Sequence, residues 1–256
     1  MRQNAPIYVV QSIDKAFQLL ELLAAAGSHA FTLPMLAEQL ELSRNKTFRI
    51  AATLQERYLI ERDSGGHYRL GVAAMELSQR VLNNSSVIGH AHVVMTGLAR
   101  KHQEAVYLTV LQGEEVLFLD MVDCEQEVRT APLIGKRFPF FSNAAGKAIK
   151  ALDSRDLLEK VFRKGRRRGG MPDFANFEAE LADIRRRGVA VDRGGLGEGI
   201  CSVAVAVRDY AGTVIGAITL LGPSFRLLAE RLESEIIPSL QEGAAILSGK
   251  FGYAPL

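Results

Sequence analysis

The segment SRNKTFRIAATLQER, Ser43 to Arg57, puts two kinds of residue on opposite sides of a helical period. Thr47, Ile50, Ala51 and Leu54 share one face, and Arg44, Asn45, Phe48, Arg49 and Ala52 the other. Guanidinium and amide groups can read base edges in a DNA major groove, where an aromatic ring can cover a thymine methyl. Asn45, Phe48 and Arg49 are therefore the candidate base readers. Ser43, Arg44, Lys46 and the first-turn amides are placed to meet phosphates. An exposed Phe48 is unfavourable unless something covers it; the alternative is a rotated helix with Phe48 packed inward. Downstream, YLIERDSGGHYRL sets Arg62, His67 and Arg69 around Ser64, Gly65 and Gly66. Those side chains either reach backbone and minor groove or are simply solvated. Ser43 to Arg69 holds six basic residues against three acidic ones, a modest positive balance that permits phosphate contact.

Other chemistries lack their residues. Gly146-Lys147 would need glycine at 141 and Ser or Thr at 148 to make a phosphate-binding loop, and Phe141 and Ala148 stand there. His90 and His92, two apart, point to different sides of a helix, with no third metal ligand in a recognisable pattern. No GxSxG elbow occurs, and Asp192 with Ser202 lacks a histidine to complete a triad. Cys124 and Cys201 make neither a disulfide framework nor a CxxC site and read as buried small hydrophobes. No metal and no cofactor is expected. The glycine-rich run Gly194 to Gly199 reads as a flexible loop, and the basic cluster Arg163, Lys164, Arg166, Arg167, Arg168 as a solvated, glycine-flanked loop.

The composition is that of a globular protein, 48% hydrophobic and 23% charged, with a net charge of only +2, so any nucleic-acid face must be local. No apolar run approaches a membrane span, and Met1 to Pro6 lack the features of a secretory signal, which points to the cytoplasm.

Upstream of the reading segment, Ile13, Ala16, Phe17, Leu19, Leu20 and Leu23 recur at helical spacing after Ser12, a candidate cap, with Gly27 and Ser28 as the stop. Thr32 precedes a short helix with Pro34 in its first turn. Three helices followed by a hairpin predict a winged helix-turn-helix over residues 1–71. A connecting helix spans 72–86, with its boundary near Asn83 to Ser86. Beyond it, a helix from about Val87 to His102 leads into strand-like runs at 105–111, 115–122, 189–192, 202–207 and 214–221. Helical segments fall around 144–152, 177–187 and 225–247. This order predicts an α+β domain over 87–256, an antiparallel sheet with flanking helices.

These stretches resemble the IclR-type bacterial transcriptional regulators nearly end to end. The likeness is carried by VQSIDKAFQLLELLA at 10–24, LAEQLELSRNKTFRIAATL at 36–54 and YLIERDSGGHYRLG at 58–71. It continues through GKRFPFFSNAAGKAIKAL at 135–152, ELADIRRRGVAVD at 180–192 and CSVAVAVRDYAGTVIGAITLLGP at 201–223. The resemblance implies a GAF-like second domain that binds a small organic acid, and a homodimer or dimer of dimers on a palindromic operator. It implies an effector site at Ala144, Ala145 and Gly146, where unpaired helix amides attract a carboxylate, with Asp192, Ser202 and Thr219 as polar positions and Phe138 as apolar wall. Ser202 stands where a cysteine is frequent in the family. Leu221 stands where a small polar residue can occur, which favours a bulkier or aromatic acid over a glyoxylate-like one. Two rival readings stay open: an assembly module without a ligand, and an enzyme working in the second domain's cleft, which the missing nucleophile and base argue against.

Overall fold

The computed structural model describes residues 9–25, 31–77, 86–165 and 171–254. It divides into two compact units, Met1–Asn84 and Ser85–Leu256.

In the first unit, α1 (Gln11–Ala25), α2 (Leu33–Gln39) and α3 (Arg44–Glu56) bury one core with β2 (Ile60–Arg62) and β3 (His67–Leu70). Leu19, Leu23, Leu36, Leu40, Ala51, Leu54, Ile60 and Tyr68 form it. Residues 72–77 are helical, α4. Two local expectations are corrected. Ser12 lies inside α1 rather than capping it. Thr32 precedes α2, with Pro34 in the first turn as expected, but its hydroxyl makes no cap bond. Its backbone belongs instead to a short strand, β1 (Phe31–Thr32), which pairs antiparallel with β3 through Phe31↔Tyr68 and Thr32↔His67. The hairpin is thus the larger part of a three-stranded sheet of order β1-β3-β2. Gly27 and Ser28, the expected stop of α1, and positions 83–85 at the expected boundary lie outside the described residues.

The second unit is built on a six-stranded antiparallel sheet of order β6-β5-β4-β9-β8-β7. Its strands are β4 (Ala105–Gln112), β5 (Glu115–Val122), β6 (Arg137–Pro139), β7 (Ala190–Arg193), β8 (Ile200–Arg208) and β9 (Val214–Pro223). The central strands are nearly continuous apolar runs because both their faces are covered. On one face Met95 and Leu98 of α5 (Ser86–His102) and Leu240 and Leu247 of α10 (Ile237–Lys250) pack on Val106, Leu108, Val203, Ile218 and Leu220. The other face packs Tyr107, Phe118, Ala204 and Leu221 against α6 (Ala144–Lys150), α7 (Arg155–Gly165) and α8 (Phe174–Arg187). A register shift after Leu108 inserts one extra residue into β5, so that Phe118 and Met121 both serve the second face while Leu119 and Val122 serve the first.

Three elements differ from the sequence expectation. β6 and α7 were not anticipated, and α7 takes Arg163 and Lys164 into a helix rather than a loop; Arg166, Arg167 and Arg168 lie outside the described residues. The expected terminal helix is interrupted. A turn, α9 (Ala229–Arg231), runs into a π-helical segment, Leu232–Ile236, ahead of α10. Pro238 in the first turn of α10 cannot donate to the carbonyl four residues back, which accounts for the wider hydrogen-bond step there. Among the described residues, no helix is long and apolar enough to cross a membrane.

Candidate functional site

In α3, Thr47 and Ala51 have no exposed surface and Leu54 is buried, while Arg44, Asn45, Lys46, Phe48 and Arg49 all face solvent. Phe48 is 52% exposed, which removes the rotated-helix alternative. Ser43 caps the helix: its Oγ accepts from Lys46 N–H at 3.4 Å, and its carbonyl accepts from the Thr47 hydroxyl at 3.2 Å. The turn before it passes through Glu41 at φ 53°, a left-handed conformation that lets α3 leave α2 sharply. The helix therefore presents donors and a ring outward, on a face rigidly backed by its own domain.

The wing charges are less free than their sequence suggests. Arg69 Nε donates to Glu61 Oε1 at 2.7 Å, with both side chains more than half exposed. The Arg62 guanidinium lies over the Tyr68 ring at 5.5 Å. His67 Nδ1 is 3.4 Å from Asp63 Oδ1, and the Asp63 carboxyl is held below its usual range by the His67 main-chain N–H.

In the second unit, the strand register gathers the remaining candidates on one sheet face. One row across the sheet reads Asp192–Ser202–Leu221–Ala105, and the next Ala190–Ala204–Thr219–Tyr107–Met121. Residues opposite one another on adjacent strands share a face, so Asp192, Ser202, Leu221 and Thr219 all look toward α6. Phe138, on β6, meets the row through Phe118, ring to ring at 5.6 Å. The start of α6 closes the far side, where Ala144 N–H reaches Ser202 Oγ at 3.4 Å.

The reasons for some small residues differ from those the sequence suggests. Gly146 N–H is held by the Asn143 cap at 3.0 Å, so the first-turn amides are not all unpaired. A Cβ on Gly146 would stand 2.1 Å from the Phe140 carbonyl oxygen, so its smallness serves helix packing. The glycine-rich run is a loop joining β7 to β8, closed by main-chain hydrogen bonds. Gly194 N–H donates to Ile200 O at 2.8 Å, and a Cβ on Gly195 would stand 1.9 Å from Ser142 O.

The electrostatic centre of this face is a residue whose role the sequence did not show. Lys147 Nζ is 2.6 Å from Asp192 Oδ2 and 2.9 Å from Glu180 Oε1. Lys147 and Asp192 are each about 10% exposed, and Glu180 about 40%. Burial works against the ammonium charge, but the hydrogen bonds and charges of Asp192 and Glu180 outweigh it and raise the Lys147 pKa. Asp192 also accepts from Gly195 N–H at 2.9 Å through its other oxygen. The sequence reading met Lys147 only in the failed phosphate-loop pattern, and nothing local shows which carboxylates the chain brings to it. Tyr107 and Thr109 were missed as well, because they sit in a run that reads only as apolar strand.

Elsewhere, His92 Nδ1 meets Asp120 Oδ2 at 2.9 Å, His90 sits edge-on to Phe251, and no metal-binding cluster exists among the described residues. Both cysteines are free and buried, and burial pushes the Cys201 thiol up. A groove of about 250 Å³ opens between α6, α8 and α10 beside the end of β8. Its polar groups are engaged: Arg185 with Ala151 O, Arg208 with Tyr253 Oη, Gln241 with Arg187 O. It is not where the candidate residues meet.

Comparison with known proteins follows the same division. The profile described as "IclR helix-turn-helix domain" matches residues 12–64, and that described as "Bacterial transcriptional regulator IclR C-terminal" matches residues 79–249. The glycerol operon regulatory protein of Streptomyces coelicolor is 31% identical over 248 residues, covering 95% of this chain and 97% of its own. The crystal structure of an IclR-type regulator from Alicyclobacillus acidocaldarius superposes with a TM-score of 0.84 at 25% identity, covering 96% of this chain and all of that one. A homologue from Microbacterium hydrocarbonoxydans, solved with 4-hydroxybenzoate, shares the fold at 21% identity and a TM-score of 0.79, covering 94% and 98% of the two chains.

Proposed function

The chain belongs to the IclR family of bacterial transcriptional regulators, and from that premise we propose how its residues divide the work. It is an effector-modulated DNA-binding regulator and not an enzyme. In our reading residues 1–71 bind DNA, 72–86 link, and 87–256 bind the effector and assemble the oligomer, in the cytoplasm. The observation that carries the DNA side is the outward face of α3, where exposed Phe48 stands beside Asn45 and Arg49 on a helix anchored by Thr47, Ala51 and Leu54. Asn45, Phe48 and Arg49 read bases; Ser43, Arg44 and Lys46 position the helix on phosphates; Arg62, His67 and Arg69 supply the wing contacts.

The effector is a small organic acid enclosed between α6 and the sheet face. Ala144, Ala145 and Gly146 form its floor, Ser202, Asp192 and Thr219 its polar positions, and Leu221 and Phe138 its apolar wall. The bound 4-hydroxybenzoate of the Microbacterium homologue supports an acid of aromatic size, and so do buried Leu221 and the Phe118–Phe138 pair. Assembly as a homodimer or dimer of dimers on a palindromic operator is supported by apolar side chains left in solvent in the second unit, where Val93, Val128, Phe225 and Leu228 are each more than half exposed.

The test is a fluorescence anisotropy titration with DNA from upstream of its own and adjacent genes, repeated with Arg49→Ala and with a panel of organic acids. The expected outcome is sequence-selective binding that Arg49→Ala weakens and one acid alters. Selective binding that no acid changes would leave the ligand-free assembly reading, and the absence of selective binding would overturn the DNA assignment.

A further inference from the structure

The groove between α6, α8 and α10 carries two cations that nothing in it neutralises. Arg185 of α8 and Arg208 at the end of β8 both line it, and no Asp or Glu does. Their neighbours in α8 are treated differently: Arg186 pairs with Asp183, and Arg187 with Glu233. Among the described residues, Arg185 and Arg208 make hydrogen bonds but no ion pair. Arg185 Nε donates to Ala151 O at 2.6 Å and its Nη2 to Asp153 O at 3.4 Å, while the Asp153 carboxylate is taken by Lys150. Arg208 Nη1 donates to Tyr253 Oη at 2.8 Å, and its guanidinium lies 5.3 Å from the centre of the Tyr253 ring.

A guanidinium offers its N–H groups in a fixed fork, so these bonds hold the two heads in place without exhausting them. Among the described residues, Arg185 Nη1 and Arg208 Nε and Nη2 have no acceptor, and Tyr253, which accepts from Arg208, keeps its own proton to donate. Donors of this kind make strong, charge-assisted bonds to phosphate or carboxylate oxygens. Two unmatched positive charges favour a dianion over a monoanion. The rest of the lining is largely apolar, with Ala148 and Ala151 of α6, Ile184, Val205 and Ala244. At about 250 Å³ the groove falls just below the range of about 300–1,000 Å³ usual for drug-sized ligands, so its occupant is small.

We propose that this groove is a second ligand site, apart from the candidate effector face, for a small phosphate monoester. The dianion sits between Arg185 and Arg208, and a short apolar body lies on Ala148, Ile184 and Val205. The site stands whether or not the organic-acid reading does. The assay is titration calorimetry of the full-length protein with phenyl phosphate and with benzenesulfonate, which has the same ring and a single charge. Phenyl phosphate binds about tenfold tighter or more, and its advantage shrinks as the pH falls through about 6, where a phosphate monoester takes up its second proton. Arg185→Gln and Arg208→Gln each weaken phenyl phosphate by about tenfold or more, as the loss of a charge-assisted hydrogen bond does. Arg100→Gln, on the exposed side of α5 and outside the groove, leaves it unchanged. Because Arg185 also holds the end of α6, Ala245→Phe at an exposed position of the lining supplies a block that touches neither arginine, and it abolishes phenyl phosphate binding. Absence of phenyl phosphate binding, binding equal to that of benzenesulfonate, or binding that all three groove variants leave intact would each overturn the site.

Discussion

Asp192→Asn is the most informative single change in the second unit, because it alters one charge and almost no volume. At 2.6 Å and the effective dielectric of about 20 that suits protein ion pairs, the Lys147–Asp192 attraction is about 6 kcal/mol before desolvation is set against it. Removing one partner of a buried pair and leaving the other uncompensated costs about 3–5 kcal/mol. Lys147 is not left alone, however: Glu180 remains at 2.9 Å, and the asparagine oxygen still accepts a hydrogen bond. The expected loss is therefore about 2 kcal/mol, which for a unit of this size lowers the melting temperature by about 4–8 °C. Glu180→Gln, whose side chain is about 40% exposed, costs about 1 kcal/mol or less. The double variant strands the ammonium and reaches about 3–5 kcal/mol, more than the two single changes together. Differential scanning calorimetry of the four proteins at neutral pH reads all three values. A Glu180→Gln cost equal to or above that of Asp192→Asn, or a strictly additive double variant, would refute the assignment of Lys147 as a shared, buried cation.

Three further outcomes are expected. In the DNA-binding unit, Lys46→Ala weakens all sequences alike and makes the salt dependence shallower by about 0.9 in log–log slope. Arg49→Ala costs about 1–3 kcal/mol and relaxes discrimination at one base position; identical slopes and unchanged discrimination in both variants would contradict the division between base and phosphate contacts. Gly195→Ala forces a Cβ into the Ser142 carbonyl and costs about 1–3 kcal/mol. Gly194→Ala meets open space, bears only the strain of φ +89°, and is the milder change in a urea melt. His102 is buried with an unpartnered Nε2, and burial, then the charges of Lys101 and Arg231, lower its pKa from 6.5 against the opposing pull of Glu235. The unfolded chain takes up that proton first, so stability falls as the pH drops below about 6.5. His102→Gln flattens that slope in melts taken from pH 7.5 to 5, and an unaltered slope would place the titration elsewhere.

What the sequence revealed and what it hid follow from the range of the interactions. The outward face of α3 was legible because a period of 3.6 within thirteen residues separates Thr47, Ala51 and Leu54 from Phe48 and Arg49 without reference to anything else. The hairpin was legible from Ser64, Gly65 and Gly66, but β1 was not: two residues carry no period, and Phe31 becomes a strand only because Tyr68 arrives beside it. In the second unit, Ser202 and Thr219 were placed by likeness to a family, since nothing local distinguishes them from other strand hydroxyls. That Thr219 is occupied by Thr109, and that Lys147 joins two carboxylates 33 and 45 positions further along the chain, are properties of register. Register is set by pairing across the sheet, which no window of sequence contains.

The double cladding of the sheet carries one more consequence. β4, β8 and β9 give alternate side chains to two separate cores, so each strand is a stiff diaphragm with a packed compartment on either side. A close-packed interior yields little to compression. Volume added among Tyr107, Thr219 and Leu221 is therefore felt at Val106, Leu108 and Leu220, and through them at Met95 and Leu98 of α5. That helix is the first described element of the second unit. Substitutions at Met95 or Leu98, which lie in the opposite core from the candidate effector residues, should for that reason alter the response to an effector as strongly as changes among those residues themselves.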